Sequence, residues 1–105
     1  MPKTTGGVSD ADLSTLPAES QKLIQEAEAL YEKGAAHLAK AKAATDAETW
    51  TSESKSALEA LRKAQAGFAA AQESLDAKGV DTPRALMEKA RKCLQALVMA
   101  RKQSP

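Results

Sequence analysis

Two stripes of small and apolar residues run along this chain and mirror each other about the junction between Thr45 and Asp46. Each stripe alternates spacings of four and three residues, which keeps its side chains on one face of an α-helix. The first stripe consists of Leu16, Ser20, Leu23, Ala27, Leu30, Gly34, His37, Ala41 and Ala44. The second consists of Ala47, Trp50, Ser54, Ala57, Leu61, Ala64, Phe68, Ala71 and Leu75. The pattern predicts a long helical hairpin.

Folding the chain back at this junction predicts which residues of the two helices face each other. The predicted pairs are Leu23 with Phe68, Leu30 with Leu61, Gly34 with Ala57, and Ala41 with Trp50. A glycine inside a helix costs about 1 kcal/mol relative to alanine. Gly34 therefore predicts a close approach of the two backbones. Gly67 lies off the second stripe, and we expect a third helix to cross near it.

Start and stop signals predict the bounds of three helices. Pro17 suits a first helical turn, where its missing N–H costs nothing, so helix 1 is predicted over about 17–44. Several cap-forming residues leave the start of helix 2 open between Ala47 and Glu53; it is predicted over about 47–78. Gly79 can adopt the left-handed conformation that ends it. Pro83, preceded by a threonine, begins helix 3 over about 83–102.

Helix 3 carries a third stripe with the same spacing. Its residues are Leu86, Ala90, Cys93, Leu97 and Ala100, and the stripe is widened on one side by Met87, Leu94 and Val98. Because the hairpin stripes are rich in alanine, we expect the bulkier residues of helix 3 to close the open side of the hairpin. These residues are Leu86, Leu94, Leu97 and Val98.

The connections between the predicted helices are short, which favours antiparallel neighbours. The predicted fold class is therefore all-α, a single antiparallel up-down-up three-helix bundle over residues 9–105. The bundle follows a flexible, disordered N-terminal tail over residues 1–8, which contain a glycine pair and no apolar periodicity. With 43% hydrophobic residues, of which most are alanine, the core should be thin.

Composition also bounds the class of protein. The single Cys93 excludes an intramolecular disulfide. No stretch approaches the roughly 20 apolar residues that a membrane-spanning helix needs. The N-terminus lacks the apolar segment of a secretory signal. We therefore expect a cytoplasmic protein with no membrane span.

Few residues are candidates for chemistry. His37 is the only histidine and is predicted to face Ser54, but no second ligand or acid–base partner accompanies it. A half-buried histidine bonded to a hydroxyl or a water is the favoured interpretation. Cys93 lies on an inner stripe and is expected to act as a small buried apolar residue. Glycine-rich phosphate loops, Ser/His/Asp sets and metal-spaced Cys/His clusters are absent from the sequence. The sequence thus predicts no enzyme, no cofactor and no metal site.

Charge is distributed unevenly although the net charge is only +1. Residues 1–82 carry nine basic and thirteen acidic residues, whereas residues 83–105 carry six basic residues and one acidic residue. Helix 3 contains no aromatic residue that could stack on a nucleic-acid base. The predicted interaction surface combines the exposed basic positions of this helix with one apolar position. Its residues are Arg84, Lys89, Arg91, Lys92, Met99 and Lys102.

These features favour a non-enzymatic helical module for protein–protein interaction or assembly, an adaptor or an accessory subunit. Its expected partner is another protein or a second copy of this chain. The alternative is a small nucleic-acid- or anion-associated protein that uses the basic face of helix 3. Trp50 lies near the predicted hairpin turn, where it either anchors an interface or fills the end of the bundle.

Overall fold

A computed structural model describes residues 8–9 and 13–103 and contains three long helices in this part of the chain. Helix α1 spans Ala18–Ala43, α2 spans Ala47–Ala77 and α3 spans Arg84–Gln103. A short 3-10 turn at Leu13–Thr15 precedes α1. The predicted all-α three-helix fold is confirmed, and each helix begins and ends within one residue of its expected bounds.

The caps of α2 explain where it begins and ends. The carboxylate of Asp46 accepts a hydrogen bond from the backbone N–H of Thr49 at 2.8 Å, so α2 begins at Ala47. At its other end Gly79 adopts a φ of +68°, as expected, and the N–H of Val80 reaches back to the carbonyl of Leu75 at 2.9 Å. This backbone pattern satisfies carbonyls that the helix end leaves unpaired.

The connection between α2 and α3 differs from the prediction. Thr82–Pro83 forms a two-residue strand, β2, which pairs in parallel with a second strand, β1, at Val8–Ser9. Helix α3 therefore begins at Arg84 rather than Pro83, because Pro83 belongs to β2 and lies opposite Ser9. The proline also favours the extended backbone of Thr82 before it. Val8 was predicted to belong to the disordered tail and instead lies opposite Thr82. The rest of the predicted tail, residues 1–7, lies outside the described residues.

Contacts between α1 and α2 establish that these helices are antiparallel. Ser20, near the start of α1, hydrogen-bonds Ser74, near the end of α2, with 3.1 Å between the hydroxyl oxygens. Toward the other end of the hairpin, His37 of α1 contacts Glu53 of α2. Helix α3 runs in the same direction as α1: Lys89 pairs with Glu28, and residues after Lys89 lie beside residues that follow Glu28. The order is therefore up-down-up.

The surroundings of two glycines in the hairpin differ from those predicted. Gly34 lies against Leu61 rather than Ala57; a Cβ at Gly34 would stand 2.7 Å from Leu61 Cγ. Gly67 lies against Ala27 of α1, where a Cβ would stand 2.9 Å from the Ala27 Cβ, so it does not mark a crossing of α3. The Gly34 pairing is offset by four residues, or about 6 Å along the axis. The offset places a bulky Leu61 where α1 has no side chain.

The core keeps most of the predicted stripe around α1 and shifts toward one edge of it: Leu16, Ser20, Ala27, Gly34 and Ala41 are buried as expected. Ile24 and Leu38 are buried although they lie outside the predicted stripe, whereas Leu23 and Leu30 are only partly buried. The prediction considered the packing of α1 on α2 alone. Because α1 must also face α3, its buried face turns toward that helix.

Helix α3 closes the hairpin with a narrow stripe. Its buried members are Leu86, Cys93, Leu97 and Ala100. Leu94 and Val98 were predicted to help close the core, but they are 47% and 42% exposed. The prediction was wrong because a single helix presents only about 100° of its surface to a core, and the four buried residues already occupy it.

The bundle is elongated, with extents of 56 × 24 × 18 Å and a radius of gyration of 15.8 Å. A compact chain of similar length has a radius of gyration of about 13 Å. The 31-residue α2 sets the long dimension, and the 20-residue α3 covers only part of the hairpin. Small side chains along α1 and α2 keep the other two dimensions short.

Candidate interaction surface

Helix α3 presents a row of apolar side chains to solvent. Met87, Leu94 and Val98 are 40%, 47% and 42% exposed. Their spacings of seven and four residues place them on one side of the helix. The core does not need these side chains, since the neighbouring stripe of α3 fills it. They form an apolar surface next to the buried stripe.

Met99 is exposed on a different side of α3, as the sequence predicted, with 45% of its surface accessible. It borders a groove of about 320 Å³ between α1 and α3, which we call the α1–α3 groove. The residues that line this groove are Tyr31, Ala35, Leu38, Ala39, Lys42, Lys92, Gln95, Ala96 and Met99. Two of the predicted surface residues, Lys92 and Met99, therefore meet at the same groove.

The remaining basic residues of the predicted surface have different environments. Arg84, Arg91 and Lys102 are exposed. Lys89 instead pairs with Glu28 of α1 at 3.2 Å between Nζ and Oε1, and each side chain is 37% exposed. The sequence does not predict this ion pair, because the pair depends on the relative rotation of two helices. Lys89 thus contributes to the docking of α3 on α1.

His37 has a partner other than the one predicted. Its Nδ1 lies 2.6 Å from Oε2 of Glu53, and the two side chains are 25% and 23% exposed. Because an ionised carboxylate can only accept, the imidazole Nδ1 donates this hydrogen bond. The neighbouring Ser54 is fully buried, and its hydroxyl has no hydrogen-bond partner within the described part of the chain. The expected bond from histidine to a hydroxyl is therefore replaced by an imidazole–carboxylate pair.

Cys93 behaves as a buried packing residue. It is fully buried, and its Sγ donates to the carbonyl oxygen of Leu61 at 3.5 Å. Burial raises the pKa of the Cys93 thiol, which disfavours the thiolate that nucleophilic or metal chemistry would need. Among the described residues, no group of three or more His, Cys, Asp or Glu side chains could hold a metal ion.

Trp50 lies in the first turn of α2 and is half-buried, so it partly covers this end of the hairpin.

Within residues 8–9 and 13–103, none of the helices combines the length and apolar character that crossing a bilayer requires. No protein-family model, curated protein or solved structure matches this chain.

Proposed function

We propose that this chain is a non-enzymatic interaction module, an adaptor or accessory subunit that binds another protein through α3. One observation carries the proposal. The large apolar side chains that are exposed in the described part of the chain all lie on α3: Met87, Leu94, Val98 and Met99. The hairpin formed by α1 and α2 has no comparable surface among its described residues.

Burial of these exposed side chains by a partner would contribute favourably to the free energy of binding. Complete burial of a Val, Leu or Met side chain contributes about 1.5–3 kcal/mol. These four side chains are already about half-buried, so each would contribute on the order of 1 kcal/mol when a partner covers it. Met87, Leu94 and Val98, on one side of α3, supply the apolar centre of an interface, and the exposed Arg91 and Lys102 supply a polar rim.

The alternative is a nucleic-acid- or anion-associated protein that binds through the same helix. The exposed Arg91 and Lys102 support it, since both could contact phosphates. Lys89 supports it less, because Glu28 already neutralises part of its charge. The absence of aromatic residues in α3 removes base stacking as a source of affinity. We therefore rank this alternative second.

The experiment is affinity capture from the organism of origin with matched variants of the full chain. In one variant the four exposed apolar residues of α3 are replaced by glutamine. In the control, glutamine replaces four exposed alanines that lie outside α3, namely Ala18, Ala29, Ala36 and Ala66. Circular dichroism verifies that both variants remain helical.

We expect the unaltered chain and the control to retain the same protein in stoichiometric amounts, and the α3 variant to lose it. Self-association in the ultracentrifuge that only the α3 variant loses would support the assembly form of the proposal. Recovery of nucleic acid, with release at high salt and after Arg91→Ala, would favour the alternative. A partner retained equally by all three chains would overturn a role for α3.

A further inference from the structure

The α1–α3 groove arises from the way in which α3 sits on the hairpin. Cys93 packs against the backbone of Leu61 on α2, whereas Lys89 reaches α1 through the ion pair with Glu28. The groove begins just beyond this ion pair, at Tyr31 on α1 and Lys92 on α3. From there it follows both helices toward their C-terminal ends.

The floor of the groove is apolar and shallow. Leu38 is buried beneath it, and Ala35, Ala39 and Ala96 line it with side chains of a single carbon. Small residues along a groove allow the backbone of another helix to approach closely. The residues come from two helices that run in the same direction, so the groove extends parallel to the bundle axis. This shape fits a helix better than a compact small molecule.

The rim of the groove carries positive charge. Lys42 of α1 and Lys92 of α3 both line it, and both side chains are exposed. Acidic side chains are absent from the lining among the described residues. A helix that entered the groove with acidic flanks would place carboxylates near these two ammonium groups. Basic flanks would meet repulsion on both sides.

We propose that the α1–α3 groove binds an amphipathic helix of another protein whose apolar stripe is flanked by acidic residues, and that this helix completes a four-helix bundle. The inference rests on the proposed function and specifies the partner and its location. It uses a recognised mode of binding, in which a helix lays its apolar face into a groove between other helices. Met99 and Tyr31 supply the larger contacts, and the alanines set the depth.

A second copy of this chain fits the groove poorly. Its helices already bury their apolar faces within their own core. In the part of the chain that the structure describes, the exposed large apolar side chains lie on α3, and residues 83–105 carry six basic residues and a single acidic one. Such a helix would bring like charges toward Lys42 and Lys92. The charge of the groove therefore selects a different, acidic chain.

The probes are two designed peptides of about three heptads with the same leucine and alanine stripe. One peptide carries glutamate on both flanks and the other carries lysine. Binding to the isotope-labelled full chain is followed by NMR, which reports both the affinity and the backbone amides that the peptide perturbs. We expect the acidic peptide to perturb Ala35, Ala39, Ala96 and Met99. It should bind about ten-fold more tightly than the basic peptide, the ratio expected for two modest rim charge pairs.

A pair of charge-reversal variants locates the effect. Lys42→Glu with Lys92→Glu should reverse the preference, so that the basic peptide binds more tightly. The control, Lys40→Glu with Arg101→Glu, makes the same change in net charge on the same two helices at exposed positions outside the groove lining. It should preserve the preference for the acidic peptide. Higher salt should reduce the difference between the peptides.

Other outcomes would overturn the inference. These are equal affinity for both peptides, no perturbation at about millimolar peptide, or perturbations confined to Met87, Leu94 and Val98. Dimerisation that protects the groove amides in the absence of peptide would assign the groove to a second copy. Each of these results can coexist with an α3-dependent partner in the capture experiment. Failure of the groove inference is therefore distinguishable from failure of the proposed function.

Discussion

Gly34 of α1 lies so close to Leu61 of α2 that a Cβ on the glycine would stand 2.7 Å from Leu61 Cγ and 3.2 Å from its backbone nitrogen. Leu61 is fully buried, so it has little space into which to move. Gly34→Ala gains about 1 kcal/mol in helix propensity, but overpacking a core costs about 1–3 kcal/mol. We expect a net loss of stability in chemical denaturation.

Gly67→Ala is the companion substitution, since its Cβ would stand 2.9 Å from the Ala27 Cβ. It should also lower the free energy of unfolding. Ala36→Gly lies on the exposed surface of α1 and therefore measures the helix-propensity difference between alanine and glycine without a change in packing. It should lower the free energy of unfolding by about 1 kcal/mol. A stabilising Gly34→Ala would mean that α1 and α2 can separate at little cost.

Two buried serines should respond in opposite ways to replacement by alanine. Ser54 is fully buried with no hydrogen-bond partner among the described residues, so Ser54→Ala should stabilise the chain by about 1 kcal/mol. Ser20 is equally buried but bonds Ser74, so Ser20→Ala should cost about 1 kcal/mol. Equilibrium unfolding in urea measures both changes. Equal effects of the two substitutions would show that the Ser54 hydroxyl finds a partner, such as a water.

The His37–Glu53 pair should contribute measurably to the hairpin. Both side chains are about three-quarters buried and their polar atoms lie 2.6 Å apart. A double-mutant cycle with alanine at each position should give a coupling free energy of about 1 kcal/mol. The matched control is Glu59–Lys63, whose side chains are 65% and 63% exposed. Its coupling should not exceed about 0.5 kcal/mol, so equal couplings would contradict the prediction.

The Asp46 cap should make the stability of α2 depend on pH. The hydrogen bond from the Thr49 backbone holds the pKa of the Asp46 carboxyl below its ordinary value. The carboxylate therefore stabilises the folded chain above the pKa of an unfolded aspartate, about 3.9, and this contribution is lost as the pH falls through the lower folded pKa.

Asp46→Asn keeps a side-chain oxygen for the cap but removes the titrating group. Thermal unfolding of both chains at neutral and acidic pH should show a steeper decline for the unaltered chain. The other carboxylates are common to both chains and cancel in this comparison. Parallel declines would show that the cap does not depend on the charge of Asp46.

Local signals predicted the C-terminal end of α2, because that end depends on a few neighbouring residues, but they left its start open between Ala47 and Glu53 because several residues there could cap it. Asp46 was among the candidate caps, and Gly79 adopts the left-handed conformation expected of it. Thr82 was less predictable. Its extended backbone follows from the proline after it, but its pairing with Val8 joins residues that are distant in sequence.

The rotation and axial offset of the helices were not predictable from the stripes. The spacing of apolar residues identifies the buried face of a helix only to within about one residue. Ile24 and Leu38 lie at the edge of the buried face of α1, and the pairing of α1 with α2 alone does not require their burial. The close contact of Gly34 with Leu61 depends on how three helices share one core. A mirror relation between two stripes contains no information about the third helix.

The candidate surface was predicted in part. Met99 and Lys92 were named from the polarity of α3, and both line the α1–α3 groove. The exposure of Leu94 and Val98 could not be predicted, because the sequence pattern does not distinguish an apolar residue beside a buried stripe from one within it. The pairing of Lys89 with Glu28 required knowledge of which helices are neighbours.

The elongated outline of the bundle affects how its mass is measured. A particle of 56 × 24 × 18 Å diffuses more slowly than a sphere of the same 11.1 kDa mass. A lone chain should therefore elute early from a gel-filtration column and resemble a heavier species when globular standards calibrate the column. Light scattering or sedimentation equilibrium, which do not depend on shape, would assign it the mass of a single chain. Elution volume alone would thus overstate the mass of a single chain.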